Sequence, residues 1–257
     1  MNRRSSLSIS ITIFVLIFLY LPIILLVISS FNESRFGGIW TGFSLKWYSR
    51  LLQESNMWLA LRNSMIIAIS ATLVSTIIGS LAAYAIHRYK TRLQKVHYSL
   101  VYTPLVMPDI LMGISLLLFF VALNIKLSLF TVFVAHTTFC VSYVTMVMLS
   151  KLQNFDFSLI EAAQDLGADS WTVTKKILLP LLAPGMMAAA LLAFTLSIDD
   201  FVITYFVAGQ GASTLPIYIY SMIKFGSTPL VNALSTLILA VTFVVVLITQ
   251  LLTNEET

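Results

Sequence analysis

Three aspartates stand inside stretches that are otherwise apolar: Asp109 in "VMPDILMG", and Asp199 and Asp200 in "LSIDDFVI". A carboxylate carried to the middle of a bilayer costs about 2.5–3.5 kcal/mol on insertion scales, so an acid placed there needs a compensating use. Asp109 lies about ten residues, or about 15 Å at helical rise, beyond the start of its run, and the other two lie toward the far end of theirs. Together the three form an anionic track for a cation. Adjacent helical residues point about 100° apart, so one of Asp199 and Asp200 faces such a track while the other bonds to a neighbouring helix. Tyr218 and Tyr220, near the outer mouth, offer π faces to a cation, and Lys224 a gate charge. Two other readings of the acids stay open. They pair with a partner chain and hold an assembly together, or Asp109 and Asp199 are the facing carboxylates of an intramembrane aspartyl protease. The protease's glycine-flanked aspartate pattern is missing.

The elements that must position these residues are set by composition. The 257-residue chain is 58% hydrophobic and only 10% charged, with a mean hydropathy of +0.93, far from the globular norm. It reads as an all-α membrane protein with six spans: residues 7–31, 63–86, 100–123, 127–149, 185–208 and 231–252. The first run follows Arg3 and Arg4, exceeds signal-peptide length and lacks a small-x-small cleavage site, which predicts a retained anchor. Two parts are expected, 1–60 as anchor and outer loop and 61–252 as the transmembrane domain. In the outer loop Trp40, Phe43, Trp47 and Tyr48 suit the bilayer interface.

Nine of the fifteen lysines and arginines fall on one side if the N-terminus is cytoplasmic. The segment "HRYKTRLQK" has four basic residues and no acid, so the loop from Arg88 to Lys95 and both termini are expected inside, and residues 32–61 outside. The net charge of +4 then records topology rather than nucleic-acid binding. The single cysteine, Cys140, excludes an internal disulfide framework. His136 lies four residues before it on the same helical face, a spacing open to a metal pair but better suited to buried packing, since no further ligand accompanies it.

The longest polar stretch is "SLIEAAQDLGADSWTVTKKILLP", Ser158 to Pro180. Ser158 and Glu161 have capping-box spacing and predict a helix start. Leu159, Ile160, Ala163 and Leu166 give that helix an apolar face, and Gly167 can end it in the left-handed conformation. Asp169 or Ser170 can cap a second short helix, with Pro180 and Pro184 interrupting the chain before the fifth span. Ala162, Ala163, Gly167 and Ala168 leave little bulk, so a second protein can approach closely; an ordinary interfacial loop is the alternative.

Glu161-Ala162-Ala163, with Gly167 following and "ILLP" at Ile177 to Pro180, resembles the EAA loop of ABC-importer permeases. The resemblance extends through "SFNESRFGGIWTGFSLKWYS", "PLVMPDILMGISLLLFF", "HTTFC", "LAFTLSIDDFVI" and "NALSTLIL", which are similar to strings in the polyamine (spermidine/putrescine) permeases of that family. It implies a type I ABC-importer transmembrane domain in a bacterial inner membrane. Residues 158–180 would be the cytoplasmic coupling loop, with Glu161, Ala162, Ala163 and Gly167 docking on an ATPase. It implies also a PotB-like second permease, two PotA-like ATPases that carry ATP and Mg, and a PotD-like extracytoplasmic binding protein. The chain itself is expected to be non-catalytic and without a cofactor, since no glycine is followed by lysine and no phosphate-cradling loop exists. A secondary transporter is the rival, but it is expected to show repeated halves with broken helices, which the spans do not announce.

Overall fold

The computed structural model describes residues 3–34, 39–89, 92–153, 155–226 and 228–254. Arg35 and Lys90, which enter the charge count, lie outside them. The described chain is almost wholly helical, as a chain in lipid must be when each backbone polar group finds its partner within its own segment. It divides into two compact units.

One unit contains Met1–Trp58 and Tyr218–Thr257. Here α1 (Arg3–Ser30) and α2 (Lys46–Leu52) pack on α12 (Thr228–Asn254), and α11 (Leu215–Lys224) carries Tyr218, Tyr220 and Lys224. The turn after α1 is organised by Asn32. Its side-chain amide donates to the Ile39 carbonyl (2.8 Å), and its side-chain oxygen accepts from the Thr41 N–H (3.1 Å). Trp47 is 3% exposed and donates its indole N–H to the Asn32 carbonyl at 2.8 Å. This corrects the interfacial role expected of it, because an indole can be buried once its N–H has an acceptor. Trp40 and Phe43 are exposed.

The second unit, Leu59–Ile217, is built around α6 (Leu129–Gln153). Val132, Ala135, His136, Phe139, Cys140, Val144 and Met148 are buried at helical spacing along it. Against it lies α9 (Leu179–Asp199), whose buried Gly185, Ala189, Ala193 and Ser197 recur every fourth residue. Small residues let two helix backbones approach closely in the absence of a hydrophobic driving force from lipid. The long helix α3 (Ser55–Arg88) makes a similar approach, since a Cβ on Gly79 would meet the Val144 side chain at 2.7 Å.

Two spans depart from the sequence reading. The run 100–123 is two helices, α4 (Gln94–Val106) and α5 (Asp109–Ala122), bent by 110°. Pro108 has no N–H to continue α4 and pushes Met107 into the extended conformation (φ −71°, ψ 130°). The run 185–208 breaks between α9 and α10 (Val202–Val207), where Asp200 is extended (φ −65°, ψ 122°). Conversely, Pro180 and Pro184 do not interrupt the approach to the fifth span. From α8 (Ser170–Val173) a π segment, Thr174–Leu178, runs directly into α9. The wider π turn makes room for the Pro180 ring, which in a regular α-helix would press on the carbonyl four residues back. Among the described residues four helices are long and apolar enough to cross a membrane, or five with the bent pair as one, and within α12 the shorter stretch Pro229–Val244 is apolar.

α5 and α10 pack together. Beyond α10, a Cβ on Gly209 would lie 1.9 Å from the Leu127 carbonyl oxygen, which is backbone and cannot rotate away. Gly209→Ala is therefore expected to destabilise the protein by about 1–3 kcal/mol or more through forced main-chain movement. Gly211→Ala, with open space around the Cβ but φ +80°, should cost less. Thermal melting of the two purified variants checks the order.

Candidate functional site

The two helix breaks meet at a cavity of about 310 Å³. Pro104, Asp109 and Met112 line it from α4 and α5, Phe139 and Tyr143 from α6, and Thr195, Leu196 and Asp199 from the last turn of α9. Asp200 through Ile203 complete it at the start of α10. The structure thus brings together the three aspartates singled out in the sequence. Asp109 is not ten residues deep in a straight helix, because the Pro108 bend puts it in the first turn of α5. Its side chain and that of Asp199 are exposed.

Asp200 differs. Its side chain is 9% exposed and its carboxylate caps α10, accepting from the Thr204 N–H (2.8 Å), the Ile203 N–H (3.3 Å) and the Thr204 hydroxyl (2.7 Å). His136 of α6, 1% exposed, places Nε2 at 3.3 Å from the same carboxylate. The ring also contacts the Thr204 hydroxyl at 2.8 Å and the Ser197 hydroxyl at 2.7 Å. So the expectation that one member of the Asp199–Asp200 pair binds a neighbouring helix acquires residues, and His136 is a hydrogen-bond hub rather than simple packing. Cys140 does not join it: its thiol donates to the Ala193 carbonyl at 3.6 Å. No cluster of three or more metal-binding side chains exists among the described residues. The sequence reading gave the aspartates a partner on a neighbouring helix but did not apply the same rule to His136, itself an ionisable side chain within a span. Tyr218, Tyr220 and Lys224 are on α11, in the other unit.

The polar stretch forms α7 (Ser158–Asp165), and Gly167 takes φ +86° as expected. The Ala168 N–H donates to the Ala163 carbonyl (3.0 Å) and the Gly167 N–H to that of Gln164 (2.9 Å), the paired bonds of a Schellman ending. The capping box does not form. Ser158 is already helical, and its N–H donates to the Asp156 carboxylate at 3.0 Å, so Asp156 supplies the cap. Hydrogen bonds from Ser158, side chain first and then backbone, hold that carboxyl below its usual range. Asp169 caps α8 as expected, and its carboxyl is lowered mainly by the Thr172 side chain. The apolar face is narrower than the spacing suggested: Ile160 is buried, but Leu166 falls beyond the last helical residue and is 90% exposed. Glu161, Ala162 and Gly167 are exposed, and so is Trp171. The ring of Phe157, just before α7, stacks on His87 at the end of α3 (5.4 Å) and lies under the Arg88 guanidinium (5.7 Å).

The chain belongs to the family described as binding-protein-dependent transport system inner membrane component, whose sequence profile matches residues 75–254. It is 42% identical over 239 residues to the Escherichia coli K12 spermidine/putrescine transport system permease protein PotC, covering 93% of this chain and 90% of that one. Against the putrescine transport system permease protein PotI of the same organism it is 42% identical over 243 residues, covering 92% and 86%. Its fold matches a bacterial ABC transporter involved in import of the acidic polysaccharide alginate, with a TM-score of 0.76 at 17% identity over 97% of this chain and 98% of that one. The fold is that of ABC-importer transmembrane domains.

Proposed function

We propose that this chain is the permease subunit of an ATP-driven importer that carries polyamines across the inner membrane. The observation that carries the reading is the exposure of Asp109 and Asp199 into one cavity formed where two helices break. Two separate carboxylates suit a substrate with several ammonium groups. The 42% identity to PotC and PotI supports the same substrate class. Asp200, occupied by its own helix, is a framework residue of the path rather than a contact. The chain is non-catalytic; a PotB-like permease encloses the path with it, two PotA-like subunits hydrolyse ATP, one of them docking on α7 and α8, and a PotD-like protein delivers the substrate. Tyr218, Tyr220 and Lys224 are assigned to the outer mouth, with Glu161, Ala162, Ala163 and Gly167 at the ATPase contact. Exposed Leu166 and Trp171 add apolar surface to that contact.

The broken helices meet one of the two marks of a secondary transporter, the repeated halves remain missing from the sequence, and the resemblance to binding-protein-dependent permeases favours the importer. The test is uptake of labelled spermidine and putrescine by the purified complex in liposomes. Uptake should require both ATP and the binding protein; uptake driven by an ion gradient without ATP would support the rival.

The orientation proposal puts the loop between α3 and α4, and both termini, in the cytoplasm. Cysteines replacing Lys95 and Phe43, both exposed, should be labelled by a membrane-impermeant maleimide only from the cytoplasmic and the periplasmic side respectively. Periplasmic labelling at position 95 would invert the assignment.

A further inference from the structure

We infer that His136 is the positioning residue of the cation path: fixed as the neutral Nε2–H tautomer, it closes a one-way chain of hydrogen bonds that keeps Asp200 engaged and leaves Asp199 to face the cavity. The functional half of this rests on the polyamine reading above; the tautomer does not.

The direction of the chain follows from counting protons. A threonine hydroxyl has a single hydrogen. That of Thr204 goes to the Asp200 carboxylate, at 2.7 Å the shorter of its two acceptor contacts on that residue, the backbone carbonyl being at 3.4 Å. Toward His136 the Thr204 oxygen is then an acceptor only, and the 2.8 Å contact requires a proton on Nε2. The carboxylate oxygen 3.3 Å from the same nitrogen is also an acceptor and requires the same proton. The buried Ser197 hydroxyl has no other acceptor among the described residues, so its single hydrogen goes to Nδ1 at 2.7 Å, which must then carry no proton of its own. Read in order, Ser197 donates to His136, His136 to Thr204, and Thr204 to Asp200, with the Thr204 and Ile203 N–H groups completing the carboxylate shell.

The placement of the ring gives the chain its consequence. Ser197 is in the last turn of α9 and Thr204 is in α10, so one imidazole on α6 grips both sides of the break that follows Asp199. Ser197, His136 and Thr204 are 4%, 1% and 0% exposed. An apolar ring of similar size would pack there but would leave the Ser197 hydroxyl without its acceptor and Thr204 without its donor, each a buried polar group. The break would then lose its fixed geometry, and Asp200 would be released to turn toward the cavity. Holding Asp200 is what leaves Asp199 as the member of the pair whose carboxylate is not taken up by hydrogen bonds of the fold and is open to a cation.

Two measurements on the intact complex in lipid test this. In ¹⁵N-histidine-labelled complex, the signal lost on His136→Gln should be that of a neutral ring with a bare Nδ1 and a protonated Nε2 at pH 7. An imidazolium or an Nδ1–H ring would overturn the chain. In uptake, His136→Leu is expected to lower the rate by about tenfold or more, whereas His136→Gln, whose amide both donates and accepts, should restore it to within about threefold of wild type. Full uptake in the leucine variant, or equal loss in both, would refute the positioning role. Should the leucine variant fail to assemble, the glutamine variant and the ring signal still decide. Should the wild-type complex carry no polyamine, the substrate reading falls while the tautomer is still read directly.

Discussion

Asp199→Asn is expected to reduce polyamine uptake by about thirtyfold or more while the complex assembles and inserts normally, and Asp109→Asn by about tenfold. Asparagine preserves shape and removes only the charge, and both side chains are exposed to the cavity with no part in a helix cap that the rest of the fold needs. Asp200→Asn should behave differently. Its carboxylate accepts three hydrogen bonds that hold the first turn of α10, so the variant is expected to lose thermal stability first and uptake as a consequence. Uptake of labelled spermidine by the three variants, set beside complex yield and melting temperature, separates the two roles. Wild-type uptake in both Asp109→Asn and Asp199→Asn would show that the cavity is not the path.

The second large effect is expected at Gly167. Its φ of +86° lies where a Cβ is unfavourable, yet a Cβ there would meet nothing within 4 Å, so any loss on substitution comes from the backbone and not from a clash. The strain is about 1–2 kcal/mol, greater for a β-branched residue. It falls on the end of an eight-residue surface helix with little intrinsic stability. Gly167→Val should therefore unwind the Schellman ending and lower uptake, together with ATPase stimulation by the loaded binding protein, by about tenfold or more. Subunit assembly and substrate capture by the binding protein should persist. Gly167→Asn, which tolerates left-handed geometry, should be mild by comparison. Unchanged uptake and unchanged stimulation in the valine variant would remove coupling from this turn.

The sequence made some of these features visible and concealed others for physical reasons. Hydropathy places apolar helices reliably because lipid demands them, and a glycine after a short amphipathic run signals its ending, as at Gly167. What hydropathy cannot register is a bend inside an apolar run: 100–123 reads as one span although Pro108 folds it back by 110°. Pro180 and Pro184 gave the opposite error: a π turn precedes the first and can absorb its ring, and the second lies within the continuous helix α9. The acids at 109, 199 and 200 stood out by charge alone. Their division of labour did not, because it depends on His136, 64 residues before Asp200, and on hydroxyls of the kind that are common in any span. Ser158 and Glu161 matched a capping pattern, but Asp156 reached the same N–H first.

The ends of the broken helices also give the cavity an electrical asymmetry. A helix carries roughly half a positive charge at its N-terminus and half a negative charge at its C-terminus. Asp109 stands in the first turn of α5, where part of its charge is offset by the dipole of its own helix. Asp199 is the last residue of α9, where the unsatisfied carbonyls of a 21-residue helix add to its charge rather than subtract from it. That position is unfavourable for an acid in terms of helix stability alone. A cation in the cavity therefore feels a deeper well beside Asp199 than beside Asp109, and a chain of ammonium groups would come to rest with one of them there before moving on.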